Sequence, residues 1–254
     1  HFFLTACKGR GCVLETDYLT INAKYSPIED KSQGCRHIKV TLRLENTTDM
    51  DLEQFSITFL RDPNVAFIKL PEKTEPSIPA GEAVKVEFVV SVVKAPITHL
   101  QLKCSAKTMT RTSIEELNYK FMLPLTYNKF MRFDDQLTNS EFLINWKDPS
   151  RVLLKGEPKV LTNPLINSPT DFSAVLGHLL MYPGIVDENG QPKAYAFMGM
   201  FELEKKKVKY LLKINWIPEN NVTALEIACH GEHIAEGEFA LQTLQFLVFG
   251  AQGK

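Results

Sequence analysis

Ile38-Lys39-Val40-Thr41-Leu42-Arg43-Leu44 alternates strictly between apolar and polar residues. A period of two sends successive side chains to opposite faces, so the stretch reads as a half-buried β-strand with one wet face. The same pattern recurs on either side of it. Phe55-Ser56-Ile57-Thr58-Phe59 alternates, as does Leu100-Gln101-Leu102-Lys103-Cys104, and residues 18–23 do so more weakly. Residues 84–90 follow Pro79-Ala80-Gly81, a turn signal. Turns recur about every 10–15 residues, and no segment up to residue 120 has a helical period. This half predicts an antiparallel β-sandwich of immunoglobulin-like type over residues 1–123.

The second half, residues 124–254, changes character. Residues 139–147 place Phe142, Leu143 and Trp146 on one helical face, with Thr138 or Asn139 as N-cap. Ser168-Pro169-Thr170-Asp171 opens a second predicted helix, with a capping serine, a proline in the first turn and an acid near the positive end. Phe172, Val175, Leu176, Leu179 and Leu180 fit its apolar face, and Pro183-Gly184 is read as its end. Strands follow at about 194–203 and 208–216, joined by the charged tip Glu204-Lys205-Lys206-Lys207. A third strand at 224–229 and a last helix at about 235–249 complete an α+β platform with a small antiparallel sheet flanked by helices. No flexible linker marks the switch near Pro124, so the two domains are expected to pack together.

Composition narrows the function. The chain has 254 residues, 44% hydrophobic and 23% charged, with a formal net charge of -1. That balance builds a core without disulfides and lacks the basic excess of a general nucleic-acid or anionic-membrane binder. The five cysteines at 7, 12, 35, 104 and 229 have no regular spacing. They are read as reduced thiols, and the sequons at Asn46 and Asn221 as chance triplets in a cytosolic chain. No apolar run reaches the roughly 18 residues of a membrane span. The chain does not begin with Met and is read as a piece of a longer protein.

No nucleophile elbow, P-loop or dinucleotide fingerprint is present. Cys229, His230 and His233 could ligate zinc, yet a fourth ligand has no sequence counterpart. The bland alternative is a polar turn before the last helix. The pairs Asp134-Asp135 and Glu202 with Glu204 read as solvated surface, and the lysine run as a charged hairpin tip. Trp146 reads either as core or as a peptide-binding anchor, since it joins large apolar area to one N–H donor.

Several segments resemble the appendage, or ear, of α-adaptin, the clathrin adaptor subunit of the plasma membrane. These are Cys7-Lys8, Gly11-Cys12-Val13-Leu14-Glu15 and Leu19-Thr20-Ile21, then Leu123-Pro124-Leu125-Thr126-Tyr127-Asn128-Lys129-Phe130, then Glu141-Phe142-Leu143-Ile144-Asn145-Trp146-Lys147-Asp148 and Leu211-Leu212-Lys213-Ile214. They lie in order across nearly all of the chain. The resemblance implies a non-catalytic module without cofactor or metal. Such a module recruits endocytic accessory proteins through short Phe/Trp-containing motifs, at coated pits and vesicles. Clathrin is met indirectly, and the other subunits of the heterotetrameric adaptor are met through the rest of the chain. It implies a platform site at Trp146, Phe142 and Leu143, with Lys213, Ala224 and Ala228 at the positions where the family carries basic residues. Two of those three positions have lost their charge. Lys147, Lys209 and His230 are local alternatives for it. A second peptide site is expected on the wet sandwich face, at Lys39, Thr41 and Arg43. Appendages of β-adaptin or of the coatomer γ subunit are the nearest rivals. An enzyme or metal-binding protein using Cys229, His230 and His233 is the rival of another class.

Overall fold

In the computed structural model, which describes residues 2–30, 35–71, 77–92, 99–109, 113–203 and 208–250, the alternating stretch at 38–44 lies within a long central strand. The chain divides into two compact units, His1–Lys129 and Phe130–Lys254.

The first unit opens with helix α1 (Phe2–Lys8), followed by strands β1 (Arg10–Glu15), β2 (Leu19–Asp30), β3 (Cys35–Asn46), β4 (Leu52–Phe59), β5 (Val65–Lys69), β6 (Ser77–Ile78), β7 (Ala83–Val92), β8 (Leu100–Met109) and β9 (Ile114–Leu123). One sheet runs β1-β2-β3-β7-β5 and the other β6-β4-β8-β9. Every pairing in them is antiparallel. Val40, Leu42, Leu44, Val86 and Phe88 from the first sheet are buried, as are Leu102, Cys104, Leu117 and Phe121 from the second. The rings of Phe59 and Phe88, one from each sheet, meet edge-on with centroids 4.9 Å apart. The expected sandwich is therefore present.

One element was not expected. Cys7-Lys8 belongs to a helix instead of an opening strand, with Thr5, Ala6 and Cys7 buried. Seven residues are too few to display a period. The helix ends at Gly9, whose φ of 64° favours a residue without a Cβ. At the far end of the unit Lys129 is half-buried. Its Nζ donates to the Ala6 carbonyl at 2.9 Å and lies 4.7 Å from the centre of the Tyr25 ring.

The second unit contains β10 (Arg132–Phe133), α2 (Asn139–Trp146), β11 (Arg151–Lys155), β12 (Lys159–Val160), α3 (Asp171–Leu176), β13 (Leu180–Val186), β14 (Pro192–Glu202), β15 (Lys209–Ile217), β16 (Val222–His230) and α4 (Ile234–Phe249). The sheet is antiparallel and seven-stranded, larger than the three strands expected. Its main path is β10-β14-β15-β16-β11, with β13 beside β14 and β12 beside β16. The charged tip Glu204-Lys205-Lys206-Lys207 lies outside the described residues.

The largest correction concerns α3. The helix stops at Leu176, and Leu180–Val186 is a strand paired with β14. Gly177 takes φ 129°, which most side chains avoid, and a Cβ there would lie 2.4 Å from the Phe133 ring. Pro183-Gly184 sits inside β13 at a register shift instead of ending a helix. Ser168 is not the cap either. Residue Thr170 holds that place without a side-chain bond to the helix backbone. The Asp171 carboxylate instead accepts from the backbone N–H groups of Asn167 and Ser168 and from the Ser168 hydroxyl, which holds it below the usual carboxylate range.

The two faces of this sheet differ. One buries Phe197, Phe201, Tyr210, Leu212, Ile214, Leu225, Ile227 and Cys229. Helix α4 packs on that face: a Cβ on Gly237 would lie 3.0 Å from Cys229 Sγ. The other face, carrying Met198, Met200, Leu211 and Ala228, holds α2.

Candidate functional site

Helix α2 is set by its own sequence. The Thr138 hydroxyl accepts from the Glu141 N–H at 3.2 Å, and the Glu141 carboxylate accepts from the Thr138 N–H at 3.0 Å. This capping box satisfies two otherwise orphaned donors. It also holds the Glu141 carboxylate below its usual range, the Thr138 hydroxyl bond being the largest cause.

Two rows of the helix then do different work. Phe142 and Trp146, one turn apart, stack with centroids 5.3 Å apart at 20°. Phe142 is fully buried against Leu137, Met198, Met200, Leu211 and Ala228, and the half-buried Trp146 packs on the same cluster. Asn139 and Leu143, the other row, face an open groove of about 600 Å³. Its remaining walls come from Tyr182, Gly184 and Ile185 on β13, Ala194 to Ala196 and Met198 on β14, and Lys213, Asn215 and Ile217 on β15. Leu143 is 47% exposed, Tyr182 51%, Ile185 61% and Ile217 40%, so the apolar lining is presented to water.

Lys213 joins the two rows. It lines the groove, and its Nζ lies 5.9 Å from the centre of the Trp146 ring. Among the described residues it forms no ion pair. Across the strands it faces Met198 on one side and Glu226 on the other. Ala224 sits opposite Asn215 and Ala228 opposite Leu211, so the three strand positions singled out from the sequence, Lys213, Ala224 and Ala228, share one face of the sheet. They are not equally available. Ala228 and Phe142 are buried beneath the helix. Ala224 is half-buried on β16, one strand beyond the groove.

Of the alternative charges, none lines the groove. Lys147 is the C-cap of α2, and His230 Nδ1 lies 3.3 Å from Ser150 Oγ. Lys209 is 3.4 Å from Asp134 in a separate polar cavity of about 320 Å³, which also takes in Arg132, Asp135 and Glu202. That cavity sets three of the acids noted in the sequence, Asp134, Asp135 and Glu202, beside two cations, Arg132 and Lys209. Glu204 lies outside the described residues.

Cys229 and His230 are successive residues of β16 and point to opposite faces. Cys229 is sealed under α4, where burial pushes its thiol up. His233 Nε2 lies 3.2 Å from Glu232. Among the described residues no three His, Cys, Asp or Glu side chains are grouped to hold a metal ion.

On the sandwich, Lys39, Thr41 and Arg43 alternate with buried Val40, Leu42 and Leu44 on the outer face of β3. Glu87 receives both Lys39 Nζ at 2.7 Å and the Thr41 hydroxyl at 3.1 Å, which lower its carboxyl. Arg43 pairs with Glu45. This row spends its cations on neighbours within its own sheet.

Tyr182, Ile185 and Asn215 were not singled out in the sequence. Tyr182 falls at the tail of the expected helix, Ile185 just past the Pro183-Gly184 read as its end, and Asn215 inside an expected strand, where a polar residue gives no sign of what surrounds it. Asn46 and Asn221, the sequon residues, use their amides structurally. Asn46 Nδ2 donates to Met50, Ile78 and Pro79 carbonyls, and Asn221 bridges Trp216 Nε1 to the Leu161 carbonyl.

No protein-family model and no curated protein matches the chain. Among solved structures it is similar to the GAE domain of GGA2p from Saccharomyces cerevisiae, at 14% identity and a TM-score of 0.33, over 45% of this chain and 97% of that one. It is similar to the yeast GGA1 GAE domain-P21 at 14% identity and a TM-score of 0.34, over 44% and 97%. A FixG-related protein from Vibrio parahaemolyticus matches at 13% identity and a TM-score of 0.25, over 43% and 100%. Likenesses at these TM-scores carry neither partner nor activity to this chain.

Proposed function

We propose that the chain is a non-catalytic module that captures short peptide segments in the groove between α2 and strands β13 to β15. The observation that carries this reading is the composition of that groove: exposed Leu143, Tyr182, Ile185 and Ile217 around one unpaired cation, Lys213, and two amides, Asn139 and Asn215. Such a lining suits apolar or aromatic side chains beside a single carboxylate. A few converging polar groups in an apolar cleft are the usual make-up of a binding site. Short segments bury little area and lose entropy on ordering, so each binds weakly and several must act together.

The resemblance of residues 141–148 and 123–130 to adaptor appendages supports the finer reading. On it, the chain is the ear of a clathrin adaptor large subunit of α-adaptin type. Its partners are endocytic accessory proteins with Phe/Trp-containing motifs, met at coated pits. The methyl groups at Ala224 and Ala228 make this site less basic than the family pattern, so ligands with one acid are favoured over those with several.

The test is a titration of the chain with peptides of the Asp-Phe, Phe-x-Asp-x-Phe and Trp-x-x-Phe types. Micromolar binding to at least one is expected. Leu143→Asp should abolish it, and Lys213→Ala should weaken it about three- to tenfold for acidic peptides only, as expected of one half-exposed charged contact. Binding that survives Leu143→Asp unchanged would move the site elsewhere.

A further inference from the structure

Among the described residues, the edge strands longer than two residues carry charge, with one exception. Strand β1 has Arg10 and Glu15, β5 has Lys69, β9 has Glu115, Glu116 and Lys120, and β11 has Arg151 and Lys155. Charged side chains along an edge discourage pairing with another chain. β13 reads Leu180-Met181-Tyr182-Pro183-Gly184-Ile185-Val186 and has none. Among the described residues it pairs only with β14, so its outer edge offers unpaired amide and carbonyl groups. Met181, Tyr182, Ile185 and Val186 are each at least half exposed along it.

The edge and the groove are continuous. Tyr182, Gly184 and Ile185 belong to both. Leu180 and Tyr182 face the α2 side, as their partners Met198 and Ala196 do. A strand laid against β13 would send every second side chain to that same side, over Tyr182 and into the groove.

The occupant is a short segment and not a second copy of this chain. The register of β13 against β14 is regular from Leu180 to Pro183, then shifts between Pro183 and Ile185 and again between Ile185 and Val186. Pro183 has no N–H to give. Edge-to-edge pairing of two copies needs a long, flat edge, and bulges bend an edge away from that. What remains suits a few residues of extended backbone.

We propose that the ligand of the groove binds as an added β-strand on the Leu180–Val186 edge, with apolar side chains at alternate positions. This rests on the peptide-capture reading and specifies its geometry. The probe is a nonapeptide of the Phe-x-Asp-x-Phe type, in which the two Phe and the Asp share one face of a strand. A series with a single N-methyl group moved along the backbone is titrated against the chain. Added-strand binding predicts a loss of about tenfold or more at every second residue and less than about twofold at those between, because only alternate N–H groups face β13. Binding that ignores the parity of N-methylation overturns the strand geometry and leaves the groove reading standing. Failure of the unmodified Phe-x-Asp-x-Phe peptide to bind overturns the proposal, and failure of the Asp-Phe and Trp-x-x-Phe peptides as well overturns the groove reading with it. Sedimentation without peptide closes the remaining route: concentration-dependent dimers abolished by Met181→Lys would make a second copy the occupant and overturn the proposal.

Discussion

Lys129 shows what burial does to a single group. Its side chain is half-buried, and desolvation of the ammonium lowers its pKa from 10.5 to about 8, opposed by nearby Cys7. A lysine held below its ordinary value is charged at neutral pH at a cost to the fold. From about pH 8 to 10.5 the unfolded chain holds more protons than the folded one, so this group's contribution to stability rises with pH across that window and is flat below it. The rise should be of order 2–3 kcal/mol between pH 7 and 10, at the 1.36 kcal/mol that accompanies each pKa unit. Denaturant titrations of wild type and Lys129→Met at both pH values isolate it: the variant should lack the increment. An equal pH response in both would mean that Lys129 is wetter than its surroundings indicate. Trp146 makes a similar point without titration. A half-buried tryptophan between Phe142 and Lys213 is core on one side and surface on the other, so neither of the two sequence readings excludes the other.

At the scale of elements, α2 is the piece whose sequence and structure agree most closely. Thr138 and Glu141 announce the cap, and the apolar rows follow at helical spacing. Removing the cap leaves an N–H without its partner and an exposed first turn. Thr138→Ala should therefore cost about 1 kcal/mol in urea denaturation and weaken peptide binding at the groove through a frayed Asn139. A Thr138→Ser variant should restore both. α3 and β13 are the opposite case. The spacing of Phe172, Val175, Leu176, Leu179 and Leu180 describes a helix well, although Gly177 interrupts it. The chain nonetheless turns at Gly177, because strand β14 offers Leu180–Val186 a row of backbone partners that a longer helix would leave empty. Periodicity cannot weigh a partner more than ten residues away.

For the whole molecule, the two units have separate cores, and the proposed groove is built wholly from the second. Leu42→Ala in the sandwich core should cost about 2–5 kcal/mol by calorimetry. At temperatures where the chain stays folded it should leave peptide affinity at the groove unchanged. A parallel loss of affinity would show that the groove depends on the first unit. The amino-acid order by itself determined the sandwich, the helix at 139–146, the paired strands that follow and the closing helix. Alternation, spacing and caps are local signals, and each of these elements obeys them. It also brought forward Leu143, Trp146 and Lys213, through a resemblance in short segments. Only the tertiary structure decided that Tyr182, Ile185 and Asn215 stand around Leu143, that Ala228 and Phe142 lie beneath the helix, and that β13 leaves one edge open. Exposure and an unpaired edge are set by what does not pack against a residue, and that depends on the path of the chain far from it in sequence.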